Sequence, residues 1–187
     1  MGPISGSLFH CNHDEFNYYY LFVKLSSSFT KRSFTSKPLN KLNILIKPWG
    51  QAAQEAYPIR QEVFIHEQGV PEAMELDEFD PSADHALAYK ESKCVGTARL
   101  VYLDAKSAQI GRMAVLSAFR GRGIGMAMLM ALVHRAQAQG ISSVILHSQV
   151  MAMPFYEKQG FITQGPIYEE AGIPHRNMIL LLPKIEK

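Results

Sequence analysis

A short turn rich in glycine and arginine, FRGRGIG, carries the residue types best suited to chemistry in this 187-residue chain. It follows an apolar run, IGRMAVL, and precedes a helix-like run, MAMLMALVHRAQAQG. The first backbone N–H groups of a helix lack partners and carry a partial positive charge, so they can bind a phosphate. The glycines at positions 121, 123 and 125 remove side chains that would block a close approach. Arg120 and Arg122 add forked, charged donors, so the turn suits a pyrophosphate.

Two interpretations stay open when this turn is considered alone. The dinucleotide pattern G-x-G-x-x-G is not met, because Met126 or Met128 occupies its last position, and a Walker A loop would need Gly-Lys-Ser/Thr. An arginine–glycine segment that binds RNA would normally be repeated and disordered, whereas this one lies between ordered elements. The turn is therefore either a pyrophosphate cradle or a tight turn with solvated arginines.

The elements that must position this turn follow the order β, α, α, β, β, β, α, β, α, β, β. The segment LNILIKPW predicts a first strand, and GQAAQEAYPIRQEVFIHEQ predicts a helix that Pro58 should kink or delay. The acidic stretch PEAMELDEFDPSAD predicts a short helix and a loop. A hairpin and a strand follow, and a long helix is expected from Gly121 to Gln139. The segment IYEEAGIPH predicts a loop before a final strand, RNMILLLP. This order indicates an α/β fold with a mixed sheet and helices on both faces.

Composition places the chain among globular domains with a sizeable core, since 47% of residues are hydrophobic and 19% are charged. The formal charge of +2 is too small to indicate nucleic-acid binding by itself. Cys11 and Cys94 form no C-x-x-C pair, so the sequence predicts neither a disulfide framework nor a metal site. No apolar stretch approaches the roughly 20 residues that span a bilayer. We expect a cytoplasmic, reducing compartment and no membrane partner.

The N-terminal segment, residues 1–41, differs from the remainder. From Phe16 to Gln54 there is no acidic residue, and SSSFTKRSFTSKP resembles the composition of an organelle transit peptide. No cleavage site is clear, so we interpret residues 1–41 as an extension that is disordered or wrongly assigned. A single domain is expected over residues 42–187.

The spacing Arg120-x-x-Gly123-x-Gly125 resembles the acetyl-CoA-binding signature of the GCN5-related N-acetyltransferase (GNAT) superfamily. A second segment, FYEKQGF, resembles the family's ending for the helix after the fifth strand. The phrase VFIHEQ and the acidic loop after it resemble the ElaA/YjcF-like branch, through residues Val63, Phe64, Glu67, Gln68, Glu75, Asp77 and Asp80. This resemblance covers roughly residues 42–184. It implies the GNAT fold, with a mixed, mostly antiparallel central sheet.

The resemblance also implies roles for particular residues. Backbone amides of the turn would hold the CoA pyrophosphate, through Arg120, Gly121, Arg122, Gly123, Ile124 and Gly125. Main-chain groups of Met113, Ala114 and Val115 would bind the pantetheine arm and polarise the thioester carbonyl, in a splay beside the strand that ends near Gln149. Gln149 stands where the family often has Asn, which puts that hydrogen bond in doubt. Phe155 would lie at the cofactor site, and Tyr156 would protonate the leaving thiolate.

The acceptor amine must lose a proton before it attacks, and the sequence offers several bases. Glu67 and His175 are the first candidates, while His147 and His85 are weaker. Each histidine could equally serve as an ordinary hydrogen-bonding residue. The carboxylates of the acidic loop would either attract a cationic acceptor or form a solvated face, through Glu75, Asp77, Glu78 and Asp80. Cys94 lies in the hairpin, away from the predicted splay.

We therefore expect an N-acetyltransferase that uses acetyl-CoA, without a metal, to acetylate a primary amine on a small molecule or peptide. A non-catalytic acyl-CoA-binding domain of the same fold is the alternative. A nucleic-acid-binding protein ranks well behind, because the sequence lacks an aromatic and basic platform, and we expect no nucleic-acid partner. An exposed last strand could pair two subunits into a homodimer.

Overall fold

A computed structural model describes residues 42–183, so the predictions made for residues 1–41 lie outside the described chain. These residues form one seven-stranded sheet in the order β1-β2-β3-β4-β5-β7-β6. The strands are β1 (Leu42–Pro48), β2 (Asp84–Lys90), β3 (Lys93–Tyr102), β4 (Ser107–Val115), β5 (Ser143–Gln149), β6 (Ile162–Glu170) and β7 (Ile173–Leu181). Only β4 and β5 run parallel, and the other neighbours are antiparallel. The predicted mixed, mostly antiparallel sheet is confirmed.

Three α-helices accompany these strands: α1 (Trp49–Arg60), α2 (Ile124–Ala138) and α3 (Met153–Glu157). Helix α1 continues through Pro58 without a late start, and its hydrogen bonding widens to a π-helix over Gln61–Glu67. The acidic stretch forms two single 3-10 turns in place of the predicted short helix.

Helices α1 and α2 cover opposite faces of the sheet, as predicted. Along β2 the fully buried Ala86 and Ala88 belong to the core that includes Met128 of α2. Leu87 lies between them and packs against Ala52 of α1 in a separate cluster. Successive side chains of a strand point to opposite faces, so this alternation assigns one helix to each face.

Two sequence predictions about segment boundaries are wrong. Helix α2 begins at Ile124 instead of Gly121, because the glycines before it adopt left-handed φ angles of 72° and 75° that a helix cannot continue. The predicted loop IYEEAGIPH belongs mostly to β6 and β7, which a two-residue turn joins at Ala171 and Gly172. Both turn residues have positive φ, 50° and 75°, as a tight hairpin turn requires.

The last strand, β7, pairs with β5 on one side and β6 on the other, so it offers no free edge to a second subunit. The free edge on this side belongs to β6, and the expectation of an exposed last strand is corrected accordingly. Over residues 42–183, no helix combines the length and the apolar character needed to cross a membrane.

Candidate active site

A V-shaped opening separates β4 from β5 near the middle of the sheet. The two strands pair only from Ser107 to Gln109 and from Ser143 to Ile145. Beyond Gln109 the remainder of β4, including Met113 to Val115, has no pair with β5, and apart from a bulge at Arg112 and Met113 it is paired with β3. Main-chain groups on this side of β4 are therefore available to a ligand, where the sequence analysis places the pantetheine arm.

A β-bulge in β4 accompanies this opening. Between the pairs Thr97–Ala114 and Arg99–Gly111, β3 has one residue and β4 has two, Arg112 and Met113. Arg112 has a φ of 50°, unusual for a residue with a side chain. A bulge bends its strand and re-aims the residues that follow, and this one lies in the part of β4 that has no pair with β5.

The glycine–arginine turn lies after β4 and before the first turn of α2. Gly123 precedes the helix, and no side chain caps the helix N-terminus. A Cβ atom on Gly121 or Gly123 would meet no protein atom within 4 Å, so these glycines border open space. Gly125 lies against the Phe155 ring, since a Cβ there would be 3.7 Å from that ring. Uncapped amides beside open space are suited to binding an anion such as a pyrophosphate.

The two arginines of the turn have different partners. Arg120 donates two hydrogen bonds to the Glu67 carboxylate, with N–O distances of 2.5 and 2.7 Å, and its Nε donates to the Val115 carbonyl at 2.8 Å. The Arg122 guanidinium lies over the Phe119 ring, 5.8 Å from its centroid. Arg120 therefore ties the turn to the end of the first helix.

This ion pair bears on the predicted catalytic role of Glu67. The hydrogen bond from Arg120 is the main cause that lowers the pKa of Glu67, so its carboxylate binds a proton more weakly than usual. Glu67 is also not among the residues that line the cavity described below. Both observations weaken Glu67 as the base that accepts the amine proton.

A cavity of about 250 Å³ lies at the opening between β4 and β5. Its lining contains several of the predicted site residues, namely Met113, Gln149, Tyr156 and His175, together with His147. Gln149 donates from Nε2 to the Gln68 Oε1 atom at 3.0 Å, so the longer amide reaches the loop after the first helix. The fold thus assembles residues from four distant segments around one space.

Tyr156, the predicted acid, lies next to Met113 of β4, where the thioester is predicted to bind. Its hydroxyl lies 3.6 Å from the Met113 sulfur, and its ring contacts Phe155 and Phe161 edge-on. Burial raises the pKa of Tyr156 to about 12. The phenol therefore keeps its proton at neutral pH and can donate it.

Arginines neutralise most of the acidic loop, which overturns both interpretations for three of its four carboxylates. Arg60 and Arg99 approach Asp80 at 2.7 and 2.9 Å, and Arg60 also pairs with the Glu75 carboxylate. Arg99 pairs with Asp77 at 2.5 Å. Among the four carboxylates only Glu78 makes no ion pair in the described structure. Three of the four are therefore neither a solvated face nor free to attract a cation.

Arg112 links this neutralised loop to the bulge of β4. Its guanidinium donates to the main-chain oxygens of Met74 and Glu75 at 3.1 and 3.0 Å, and to the Asp77 carboxylate at 3.0 Å. These bonds support the unusual backbone conformation of Arg112. Sequence reasoning missed all three arginines, although Arg99, inside the apolar run of β3, had to be buried and therefore needed a partner.

Of the remaining candidate residues, His175 lies at the cavity, whereas His85 and Cys94 lie away from it. His175 lines the cavity, and its Nδ1 lies 2.8 Å from the Ile173 carbonyl oxygen. His85 is fully buried under α1, and burial lowers the pKa of His85. Burial raises the pKa of the Cys94 thiol to about 11, and Cys94 does not line the cavity. The described residues contain no group of three or more potential metal ligands.

Comparison with known proteins gives a consistent result. Residues 48–182 match a family described as an acetyltransferase (GNAT) domain. The chain is 35% identical over 127 residues to "Uncharacterized N-acetyltransferase YjcF" of Bacillus subtilis, covering 67% of this chain and 90% of that protein. The structure of Escherichia coli ElaA superposes with a TM-score of 0.67 at 26% identity, covering 74% of this chain and 99% of ElaA. An acyl-CoA N-acyltransferase from Pseudomonas aeruginosa gives the same four values.

Proposed function

Because this chain belongs to the GNAT family and is an acyltransferase of that family, we propose that it transfers the acetyl group of acetyl-CoA to a primary amine. The acceptor is a small molecule or a peptide, and the amine attacks directly in a ternary complex. The YjcF and ElaA likenesses agree with the branch indicated by the sequence.

The residues present fit the acetyl-CoA that this function requires. The uncapped start of α2 and the open space beside Gly121 and Gly123 suit the diphosphate. Main-chain groups of Met113 to Val115 have no β5 partner and suit the pantetheine arm and the thioester carbonyl. Acetyl-CoA itself supplies an activated acetyl group and a thiolate leaving group.

The single observation that supports the reaction best is the position of the Tyr156 hydroxyl. It lies beside Met113, at the end of the β4 segment that would hold the thioester. As the C–N bond forms and the C–S bond breaks, the Tyr156 hydroxyl gives its proton to the sulfur. The phenol is protonated at neutral pH, so its proton is present when the thiolate leaves.

A Tyr156→Phe variant tests the proposal. Thiol release from acetyl-CoA with a panel of primary amines should fall by about a hundredfold or more, the usual contribution of a positioned acid. CoA affinity, measured by calorimetry, should stay within about twofold of the wild type. Tyr102→Phe is the matched control, because its hydroxyl bonds Asp84 and burial likewise raises the pKa of Tyr102 to about 12.

Two results would contradict the proposed function. Wild-type protein that binds acetyl-CoA but releases no thiol with any amine would identify the non-catalytic acyl-CoA-binding alternative. Equal turnover in Tyr156→Phe and Tyr102→Phe would remove the acid role from Tyr156.

A further inference from the structure

The cavity has a second reactive corner that the roles described above leave unused. His147 of β5 and Glu170 of β6 both line it, and the His147 Nδ1 atom lies 3.5 Å from the Glu170 Oε2 atom. Their side chains are 41% and 44% exposed, so both groups can be reached from solvent. A carboxylate next to an imidazole at the rim of a cavity is a common arrangement for accepting a proton.

The strand register explains why residues so distant in sequence meet at this corner. His147 and Gln149 share one face of β5, while their neighbours Leu146 and Ser148 alternate with them and are buried. Strand β7 lies next to β5, and β6 lies next to β7. Glu170 is the last residue of β6, immediately before the tight hairpin turn, and this position carries its carboxylate to the cavity.

A bulge in β6 fixes the direction of that hairpin tip. Between the pairs Gln164–Asn177 and Tyr168–His175, β6 has three residues and β7 has one. The Arg176 Nε atom donates to the Gly165 carbonyl at 3.0 Å inside this irregular segment. Bulges re-aim the residues beyond them, and here those residues include Tyr168 and Glu170.

Aromatic contacts orient the His147 ring. Its centroid is 6.0 Å from that of Tyr168 in an edge-on arrangement, and Tyr168 in turn stacks on His175 at 6.1 Å. The Tyr168 hydroxyl donates to the Asn177 Oδ1 atom at 2.9 Å, which holds the ring in place. With Nδ1 facing Glu170, the His147 Nε2 atom has no hydrogen-bond partner in the described structure and stays available to a substrate.

Charge balance distinguishes Glu170 from the other carboxylate of the cavity wall. Glu75 also lines the cavity, but it is 1% exposed and paired with Arg60. Asp77 and Asp80 of the acidic loop are paired with arginines as well. Glu170 is therefore the lining carboxylate, among the described residues, that no arginine or lysine neutralises.

We propose that His147 and Glu170 form the receiving site for a cationic primary amine, with Glu170 attracting the ammonium group and His147 deprotonating it. This inference rests on the proposed function and names its missing base and acceptor class. The ammonium proton passes to His147 Nε2, and Glu170 stabilises the resulting imidazolium through Nδ1. The neutral nitrogen then forms its bond to the acetyl carbon as the C–S bond breaks and Tyr156 protonates the sulfur. The second proton, which the nitrogen loses as the amide forms, reprotonates the Tyr156 phenolate through solvent, and His147 returns the first proton to solvent.

Turnover of three variants tests the proposal, with thiol release measured over pH 5–10. His147→Asn should lower kcat by about a hundredfold or more and remove the acidic limb of the pH profile. Glu170→Gln should raise KM for a diamine by about two- to fivefold, the usual range for an exposed charge pair. His175→Asn is the comparator, because His175 lies in the same cavity. The ionisable groups that share the cavity with His147 are Glu75, Arg99, Arg112, Tyr156, Glu170 and His175.

The outcomes separate this inference from the proposed function. Unchanged CoA affinity with a much larger kcat loss in His147→Asn than in His175→Asn supports His147 as the base. A wild type that turns over while His147→Asn matches it within about twofold, or while His175→Asn loses more, overturns the inference and leaves the acetyltransferase function intact.

A binding measurement tests the proposed receiving site even if no turnover is detected. Adding 1,4-diaminobutane to the CoA-bound wild type should shift the His147 ring resonances in NMR spectra, assigned by their absence in His147→Asn. The uncharged 1,4-butanediol should not shift them, and the diamine should shift them less in Glu170→Gln. No shift with the diamine overturns the receiving site, whatever the turnover.

Discussion

Replacing the buried Arg60 by Met should strongly destabilise the domain. Arg60 is 0% exposed and donates to the Glu75 carboxylate, to the Glu75 main-chain oxygen at 2.6 Å and to both Asp80 oxygens at 2.7 and 3.1 Å. Asp80 would keep Arg99, at 2.9 Å. Glu75 would lose its charged partner, because Arg112 bonds only the Glu75 main-chain oxygen. Removing one partner of a buried ion pair costs about 3–5 kcal/mol.

That loss is large compared with the stability of an ordinary domain. Domains have about 5–15 kcal/mol of unfolding free energy, and each kcal/mol moves Tm by about 2–4 °C at this size. We therefore expect Arg60→Met to lower Tm by about 6–20 °C in calorimetry. Arg135→Met is the control, because Arg135 is an exposed arginine paired with Asp84, and it should cost about 1 kcal/mol or less.

Lowering the pH should reduce the difference in unfolding free energy between Arg60→Met and the wild type. The pKa of Asp80 is lowered from 3.8 to about 2, with hydrogen bonds from Arg60 as the main favourable cause against the burial that opposes it. A carboxyl with a lowered folded-state pKa adds stability above its unfolded pKa and loses it as pH falls through the folded value. The stability lost in Arg60→Met relative to the wild type should therefore become smaller between about pH 4 and pH 2. A deficit below about 1 kcal/mol at pH 7, or equal losses in Arg60→Met and Arg135→Met, would refute the buried-network reasoning.

Further substitutions test the glycine–arginine turn and its ion-pair partner Glu67. Gly123→Ala should destabilise the protein by about 1–2 kcal/mol in urea denaturation and weaken acetyl-CoA binding, because its φ of 75° disfavours a side chain. Gly125→Ala should leave the stability of the free protein nearly unchanged, because the added methyl group would make an ordinary contact with Phe155, and equal destabilisation would argue against backbone strain. Glu67→Gln should strengthen acetyl-CoA binding about two- to fivefold, because the carboxylate competes with phosphate for Arg120. Its kcat should change by no more than about twofold, and a hundredfold loss would instead restore Glu67 as the base.

Local patterns in the sequence were enough to predict the sheet and the position of the glycine–arginine turn. The glycine–arginine turn lies where its spacing placed it, because helix N-termini and positive-φ glycines are properties of a few adjacent residues. Tyr156 lies in the short helix α3 predicted for it. The hairpin tip at Ala171 was missed, because alanine at positive φ carries none of the usual turn signal.

The three arginines that neutralise the acidic loop could not be paired with their partners from the sequence, because each pair joins distant segments. Arg60 lies on α1, Arg99 on β3 and Arg112 on β4, while their carboxylate partners follow one another between Glu75 and Asp80. The acidic stretch by itself predicts either a solvated loop or a surface that attracts cations. Only the folded arrangement shows that its charges are compensated.

That compensation changes which residue can select the acceptor by charge. Arg60, Arg99 and Arg112 offset Glu75, Asp77 and Asp80 one for one, so this wall of the cavity has little net charge to offer a substrate. The same bonds hold the acidic loop against the bulge in the part of β4 that has no β5 partner. The acidic loop therefore supports the structure of the site and does not attract the substrate. By our proposal, Glu170 on the hairpin of β6 and β7 attracts the cationic acceptor, because no cationic side chain of the described residues neutralises its carboxylate.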